Sequence, residues 1–399
     1  MKKIIALLLS FTLIACLFVG CAEGKTNKDE GDKGTTQASG ETKGTENTEE
    51  NGNTQASNLN VGVFYYNYAD VYISSVRSAL DAELDKAGVT YRNFDGNNVQ
   101  ATQNEQIQTA VTDGCNLLIV NMVTSNSSDT AKAIMEIAGD VPVIFFNRAI
   151  EDESATGTVL GAYDNICFIG TDAPEAGHLQ GKMVGEYVLA NYDAIDLNGD
   201  GVISYAMFKG DEANPEAIYR TQYGVEDANA ILTKEGKPAM QYFDSKNTTG
   251  YQVDMGGAWS ASAAMEYMNT NLAQFNETNK NMIELIICNN DNMAEGCISA
   301  LNAAGYNNGE GSKTIPVFGV DATDSAQTLI AEGKMTGTVK QDAEGMAAAI
   351  ASTAIAVGEG KAMPEAIAAA AQKGDIYSVA EGLSNKLFVA YAPYTAENK

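Results

Sequence analysis

The chain has 399 residues and a formal net charge of −27 at pH 7, from 52 Asp and Glu against 25 Lys and Arg. That balance argues against a nucleic-acid partner, which needs clustered positive charge. The single histidine argues against a multi-histidine metal centre or histidine-based acid–base catalysis, and 45% hydrophobic residues at this length suit two packed domains.

Lys2 and Lys3 precede an apolar run that ends at Cys21. A basic start followed by an apolar stretch reads as a signal peptide over 1–20. The sequence Phe18-Val19-Gly20-Cys21 resembles a bacterial lipobox, which implies cleavage before Cys21 and a diacylglyceryl group on its sulfur. Residues 22–58 contain no large apolar side chain and are rich in Gly, Thr, Asn, Glu, Lys and Ser. Such a segment cannot bury enough surface to offset its ordering entropy, so 21–58 is expected to be a lipidated cysteine on a solvated tether. The expected location is extracytoplasmic, lipid-anchored to the cell membrane.

From residue 59 onward, short apolar runs alternate with longer amphipathic stretches. LNVGVFYY, LLIVNMV, VPVIFFN, CFIGTD, ISYAMFKG, ELIICNND and IPVFGVD read as buried strands. ISSVRSALDAELDKAG, DTAKAIMEIAG and EAGHLQGKMVGEYVLAN read as helices. Continuous apolar strands suit parallel sheets covered on both faces, and the alternation predicts two doubly wound α/β units. Ligands in such sheets meet the carboxyl ends of the strands. Those ends are polar here: Asn121, Asn147-Arg148, Thr171-Asp172, Asn289-Asn290-Asp291 and Asp321. Cys115, Cys167, Cys288 and Cys297 show no zinc spacing, and the first three sit in or beside strand-like runs, where buried thiols are common.

Residues 196–204 read Asp-Leu-Asn-Gly-Asp-Gly-Val-Ile-Ser. Oxygen donors fall at loop positions one, three, five and nine, as Asp196, Asn198, Asp200 and Ser204. The Val202 carbonyl supplies position seven, and Gly201 permits the turn at position six. Position twelve is Met207, so the usual bidentate carboxylate of a calcium loop is missing and has to come from elsewhere. Such a Ca2+ site is structural, because full coordination leaves no open position for chemistry.

Trp259, the sole tryptophan, lies in a small-residue loop, and Tyr72 stands two residues after Asp70. Two flat rings among carboxylates and amides suit a pyranose, whose C–H faces stack while its hydroxyls hydrogen-bond.

From about 59 to 393 the chain resembles the bacterial periplasmic galactose/glucose-binding protein family. The carrying segments occur in order: VGVFYYNYADVYISSVRSAL, VPVIFFN, FIGTDAPEAGHLQG, DLNGDGVI, PEAIYRT, Trp259, ELIICNNDNMAEG, IPVFGVDA and GTVKQDAEG. The resemblance implies a type I periplasmic binding protein: two Rossmann-like parallel-sheet lobes joined by three hinge crossings. It implies an N-terminal lobe of 59–170 plus 342–389 and a C-terminal lobe of 171–341 plus 390–399. Asp70 and Tyr72 match a hydroxyl acceptor and one stacking ring, and Asn147 an amide at a strand end. Arg220, Trp259, Asn290 and Asp321 match a guanidinium, the other ring, an amide and a carboxylate. Glu284 falls where the family supplies the missing calcium carboxylate. In four places the chain departs from the pattern: Asn214 for a histidine, Glu216 for an aspartate, Gln341 for an asparagine and Tyr72 for a phenylalanine. The longer Glu216 and Gln341 imply a smaller pocket or re-aimed hydrogen bonds, and the Tyr72 hydroxyl needs a partner. At the ninth position of the metal loop, Ser204 replaces a longer amide.

The expected function is capture of a monosaccharide, galactose or glucose, or else another small sugar such as a pentose. A monomer then delivers it to an ABC transporter permease, with a chemoreceptor as a further partner, or serves mainly as a sensory sugar receptor. A LacI-type repressor shares the body but needs a DNA-binding helix-turn-helix, whereas residues 1–58 read as signal and tether. A glycosidase needs paired carboxylates about 5–10 Å apart around a scissile bond. No enzyme activity is expected. His178 reads as a solvated or lobe-contact residue.

Overall fold

The computed structural model describes residues 58–152 and 156–398, so the signal segment, Cys21 and nearly all of the tether lie outside the described residues. The described chain begins with β1 (Asn60–Tyr65), α1 (Val71–Lys86), β2 (Thr90–Asp95), α2 (Gln100–Thr112), β3 (Leu117–Val120), α3 (Ser128–Ala138), β4 (Val143–Phe146) and β5 (Ile166–Gly170). It continues through α4 (Ala173–Ile195), β6 (Ser204–Lys209), α5 (Pro215–Lys234), β7 (Gln241–Tyr242), β8 (Gln252–Val253), α6 (Ala261–Gln274), β9 (Leu285–Cys288), α7 (Asp291–Ala303), β10 (Val317–Asp321), α8 (Asp324–Ala331) and β11 (Gly337–Lys340). It closes with α9 (Ala343–Gly358), α10 (Met363–Ala371), β12 (Tyr377–Val379), β13 (Lys386–Val389) and β14 (Ala392–Thr395).

Two sheets organise these elements, in the orders β12-β13-β5-β4-β3-β1-β2 and β14-β11-β10-β9-β6-β7, with β8 also pairing β6. Strands β3, β4, β5, β9 and β10 are buried along their whole length. That burial follows from helices on both faces of each sheet and explains why their sequences are unbroken apolar runs. Two edges depart from the parallel expectation: β12 lies antiparallel on β13, and β14 antiparallel on β11. The chain passes between sheets three times, after β5, after β11, and between β13 and β14.

Helix α1 buries one stripe, turning Tyr72, Ile73, Val76, Leu80 and Leu84 to the first sheet's core, whereas α9 is buried on most of its circumference. Helices α4 and α5 pack backbone to backbone. A methyl on Gly177 would stand 2.4 Å from the Tyr219 carbonyl oxygen, and one on Gly181 would stand 2.2 Å from that of Tyr223. His178, between these glycines, is half-exposed, stacks on Tyr223 and sets Nδ1 2.6 Å from the Asp227 carboxylate, so it bridges α4 and α5. Among the described residues, Cys115, Cys167, Cys288 and Cys297 are buried and form no disulfide.

Gly181→Ala is therefore expected to lower the unfolding free energy by about 1–3 kcal/mol, the usual range for overpacking. Urea titration followed by circular dichroism reads it, and an unchanged midpoint would show that α4 moves off α5 without penalty.

Candidate binding site

All ten residues marked for a ligand from the sequence line one gap between the lobes. They reach it because strand ends and helix starts of parallel sheets point to the same edge. Asp70 follows β1 and caps α1, its Oδ1 accepting from the Ile73 N–H at 2.8 Å. Asn214 caps α5 by accepting from the Glu216 N–H at 2.9 Å, and Asn290 caps α7 by accepting from the Met293 N–H at 3.0 Å. Tyr72 lies in the first turn of α1, Asn147 follows β4, Asp321 ends β10, and Gln341 follows β11.

Three of these residues hold positive φ: Asn147 at 59°, Trp259 at 54° and Asp321 at 126°. Non-glycine residues there are strained, and such strain gathers where a site over-determines the backbone. Trp259 is pinned in place. Its carbonyl accepts from Asn290 Nδ2 at 3.3 Å and Asn292 Nδ2 at 3.1 Å. Gly210 lies so close that a methyl there would sit 2.1 Å from the indole.

The densest hydrogen bonding surrounds Glu216 and Arg220, one turn apart on α5. Arg220 Nη2 lies 2.8 Å from Glu216 Oε2, 3.0 Å from Gln341 Oε1 and 2.8 Å from the Tyr391 hydroxyl. Its two hydrogens are thus shared among three acceptors. Nη1 donates to the Asn289 carbonyl at 3.0 Å. The Thr171 hydroxyl donates to Glu216 Oε1 and the Tyr391 hydroxyl to Oε2, each at 2.8 Å. Thr171, Gln341 and Tyr391 each belong to a different crossing between the lobes. The added methylene of Glu216 thus aims its carboxylate at the hinge.

Three cleft contributors escaped the sequence reading. The Tyr66 hydroxyl donates to Asp70 Oδ2 at 2.6 Å, and Arg148 lies over the Tyr66 ring at 4.2 Å. Tyr391 is the third. Arg148 sits at a strand end already marked polar and Tyr391 inside an expected crossing, so position was available as a signal for both. Tyr66 lay hidden in the apolar run LNVGVFYY. Across the mouth the lobes touch: Arg148 Nη2 reaches Asp211 Oδ2 at 3.3 Å, and Asn98 Nδ2 donates to the Gly256 carbonyl at 2.8 Å. The described state is closed.

Burial pushes the Asp70 carboxyl above its usual range, against the opposing pull of the Ile73 N–H and the Tyr66 hydroxyl. Burial raises Asp321 further, reinforced by the Asp291 carboxylate and opposed by Arg220. A hydrogen-bond donor from a ligand would bring Asp321 back down. For Arg220, burial works against the charge, yet Tyr391, Glu216 and Asp321 outweigh it and hold the guanidinium protonated.

In the loop before β6, Asp196 Oδ1 accepts from the Gly199 N–H at 2.8 Å and Oδ2 from the Gly201 N–H at 2.9 Å. Glu284 brings Oε1 to the Asn198 N–H at 3.0 Å and Oε2 to the Ser204 N–H at 2.9 Å, 80 or more residues along the chain. Ile203 is fully buried and anchors the loop. The Ser204 hydroxyl turns to the Met282 carbonyl and to Glu284. Among the described residues, no three Asp, Glu, His or Cys side chains gather closely enough to hold an ion by themselves, and no basic side chain pairs with Asp196, Asp200 or Glu284. The all-oxygen donor set and the unneutralised buried Glu284 fit a hard cation, with Asn198 and the Val202 carbonyl as further donors.

The sequence pattern of the periplasmic binding protein domain matches residues 61–362. The chain belongs to that family. The family consists of solute-binding components of transport that act outside the cytoplasm and carry out no catalysis. The chain is 32% identical over 311 residues to the D-galactose/methyl-galactoside binding periplasmic protein of Haemophilus influenzae, covering 78% of this chain and 85% of that one. Its fold is similar to a solute-binding protein of Bacillus halodurans with bound myo-inositol (TM-score 0.61, 21% identity, 85% of this chain and 95% of that one). It is equally similar to one of Clostridium phytofermentans with bound beta-D-glucose (TM-score 0.61, 18% identity, 85% and 94%). Like other periplasmic binding proteins, the chain has two parallel-sheet lobes with a polar gap between them.

Beneath the cleft, Asp291 accepts from the Thr323 N–H at 2.9 Å and the Thr338 hydroxyl at 2.6 Å, and burial pushes its carboxyl up to about 7. An unfolded aspartate titrates at about 3.9. The stability this site contributes is therefore complete below about pH 4 and lost as pH rises through about 7. Asp291→Asn, which imitates the protonated acid, is expected to flatten the fall in urea midpoint between those two pH values. Parallel pH curves for the two proteins would remove Asp291 as the cause.

Proposed function

We propose that this protein is the substrate-binding lipoprotein of an ABC transporter and that it clasps a monosaccharide, galactose or glucose, between its lobes. The observation that carries the reading is the joint lining of one closed gap. Asp70, Tyr72 and Asn147 come from one side, and Asn214, Arg220, Trp259, Asn290 and Asp321 from the other. A ligand that touches both faces favours the closed form through its differential affinity. Rings supply stacking surface, while carboxylates, amides and guanidinium supply oriented acceptors and donors for hydroxyls. The relative of Haemophilus influenzae named above supports galactose among hexoses. Glu216 and Gln341 fill the hinge end with bonds to Arg220, which keeps pentoses in the comparison.

The closed shape is what a permease, and a chemoreceptor if one is used, would read. Cys21 would hold the protein at the membrane by its lipid, with residues 22–58 as the tether. Asp196, Asn198, Asp200, Val202, Ser204 and Glu284 would hold Ca2+, which when bound supplies positive charge that neutralises the carboxylates and staples the loop to the start of β9.

Isothermal titration against hexoses, pentoses and polyols tests the ligand. Trp259→Ala is expected to weaken the best sugar by about 100-fold, the scale of losing a buried aromatic anchor, with near wild-type thermal stability. No binding by the wild type to any sugar would sink the reading. Chelation is expected to lower the melting temperature and calcium to restore it; an unchanged melting temperature would count against the metal site.

A further inference from the structure

Four nitrogen or oxygen donors in the cleft meet no acceptor: the Tyr72 hydroxyl, Gln341 Nε2, and the Nε atoms of Arg148 and Arg220. Their residues are 7%, 3%, 5% and 3% exposed, so solvent does not serve them. Buried polar groups in native proteins are almost always paired, and an unpaired one is destabilising. The other cleft hydroxyls are engaged, Tyr66 with Asp70 and Tyr391 with Glu216. The orientation of the Gln341 amide is fixed, because its Oε1 accepts from Arg220 at 3.0 Å and leaves Nε2 as the free end.

Asp321 offers the complement. Its carboxylate is buried at the same gap, and no described residue donates to it, while Tyr72, Asp321 and Gln341 share a second opening beside Asp342. The three therefore stand together at one edge of the cleft. A sugar hydroxyl has one proton to give and two lone pairs to receive. Those capacities match one carboxylate and two orphan donors.

We propose that Tyr72 and Gln341 are specificity-determining residues that donate to a single ligand hydroxyl, which in turn donates to Asp321. This rests on the monosaccharide reading and narrows it: at one ring position the ligand carries a free hydroxyl. A deoxy analogue leaves all three groups unpaired. An O-methyl analogue leaves Asp321 without a donor, and an ammonium presents donors to donors.

The test is isothermal titration of wild type and Tyr72→Phe with the best sugar of the panel and each of its monodeoxy analogues. The wild type is expected to lose about 100-fold or more on one analogue, since sites built around a hydroxyl reject its absence strongly. Tyr72→Phe should bind the parent sugar about 10–100-fold more weakly, yet bind that one analogue within about threefold of wild type. Gln341→Met should show its loss at the same position. The ligand-free melting temperature of Tyr72→Phe should equal or exceed wild type, because the hydroxyl it removes has no partner. A structural role would lower it. Unchanged affinity in Tyr72→Phe, or an equal loss on every analogue, overturns the pairing while leaving monosaccharide binding standing. A wild type that binds no sugar overturns both.

Discussion

The cleft and the hinge share one buried ion pair. Glu216 and Arg220 lie on the same helix, and apart from the Arg220 bond to the Asn289 carbonyl their other side-chain hydrogen bonds go to Thr171, Gln341 and Tyr391, one residue from each crossing between the lobes. An isolated charge in this setting would be strongly destabilising, and the pair persists because nearly all its donors and acceptors are matched. Buried pairs of this kind contribute little net stability compared with apolar packing. Their consequence here is geometric: the guanidinium that faces the ligand space is held by the same atoms that hold the crossings.

Around that pair, the cleft departs from ordinary folding preferences. Asn147, Trp259 and Asp321 keep strained backbone angles, Asp70 and Asp321 keep carboxyls that burial disfavours ionising, and four donors stay unpaired. Each is destabilising in the closed, ligand-free state. A ligand that supplies hydroxyls relieves several of them at once, and this gives closure a driving force beyond contact area. The same logic separates residues that grip from residues that position. Asn290 caps α7 and holds the Trp259 carbonyl, so besides lining the cleft it sets the indole.

The strands that the sequence revealed are those buried on both faces, because continuous apolar runs leave no other reading. Edge strands did not announce themselves. β2 reads Thr-Tyr-Arg-Asn-Phe-Asp, with no buried face of its own, and the antiparallel β12 and β14 are short and polar. Their pairing is decided by neighbours rather than by composition. Candidate ligand residues were legible because strand ends and helix caps are marked by type. Tyr66 was not, since an aromatic at the end of an apolar run looks like core until its hydroxyl is seen on Asp70.

The sequence alone determined the alternation of strand and helix, the polar strand ends, and the oxygen-rich loop at 196–204, since each is a local pattern set by periodicity or side-chain chemistry. Only the tertiary structure decided that Glu216 turns to the hinge, that Tyr391 completes its shell, and that the Tyr72 hydroxyl and Gln341 Nε2 remain without partners. Those outcomes depend on which atoms from distant segments arrive within about 3 Å of one another, the reach of a hydrogen bond. One methylene or one hydroxyl in the chain does not state where its far end will point.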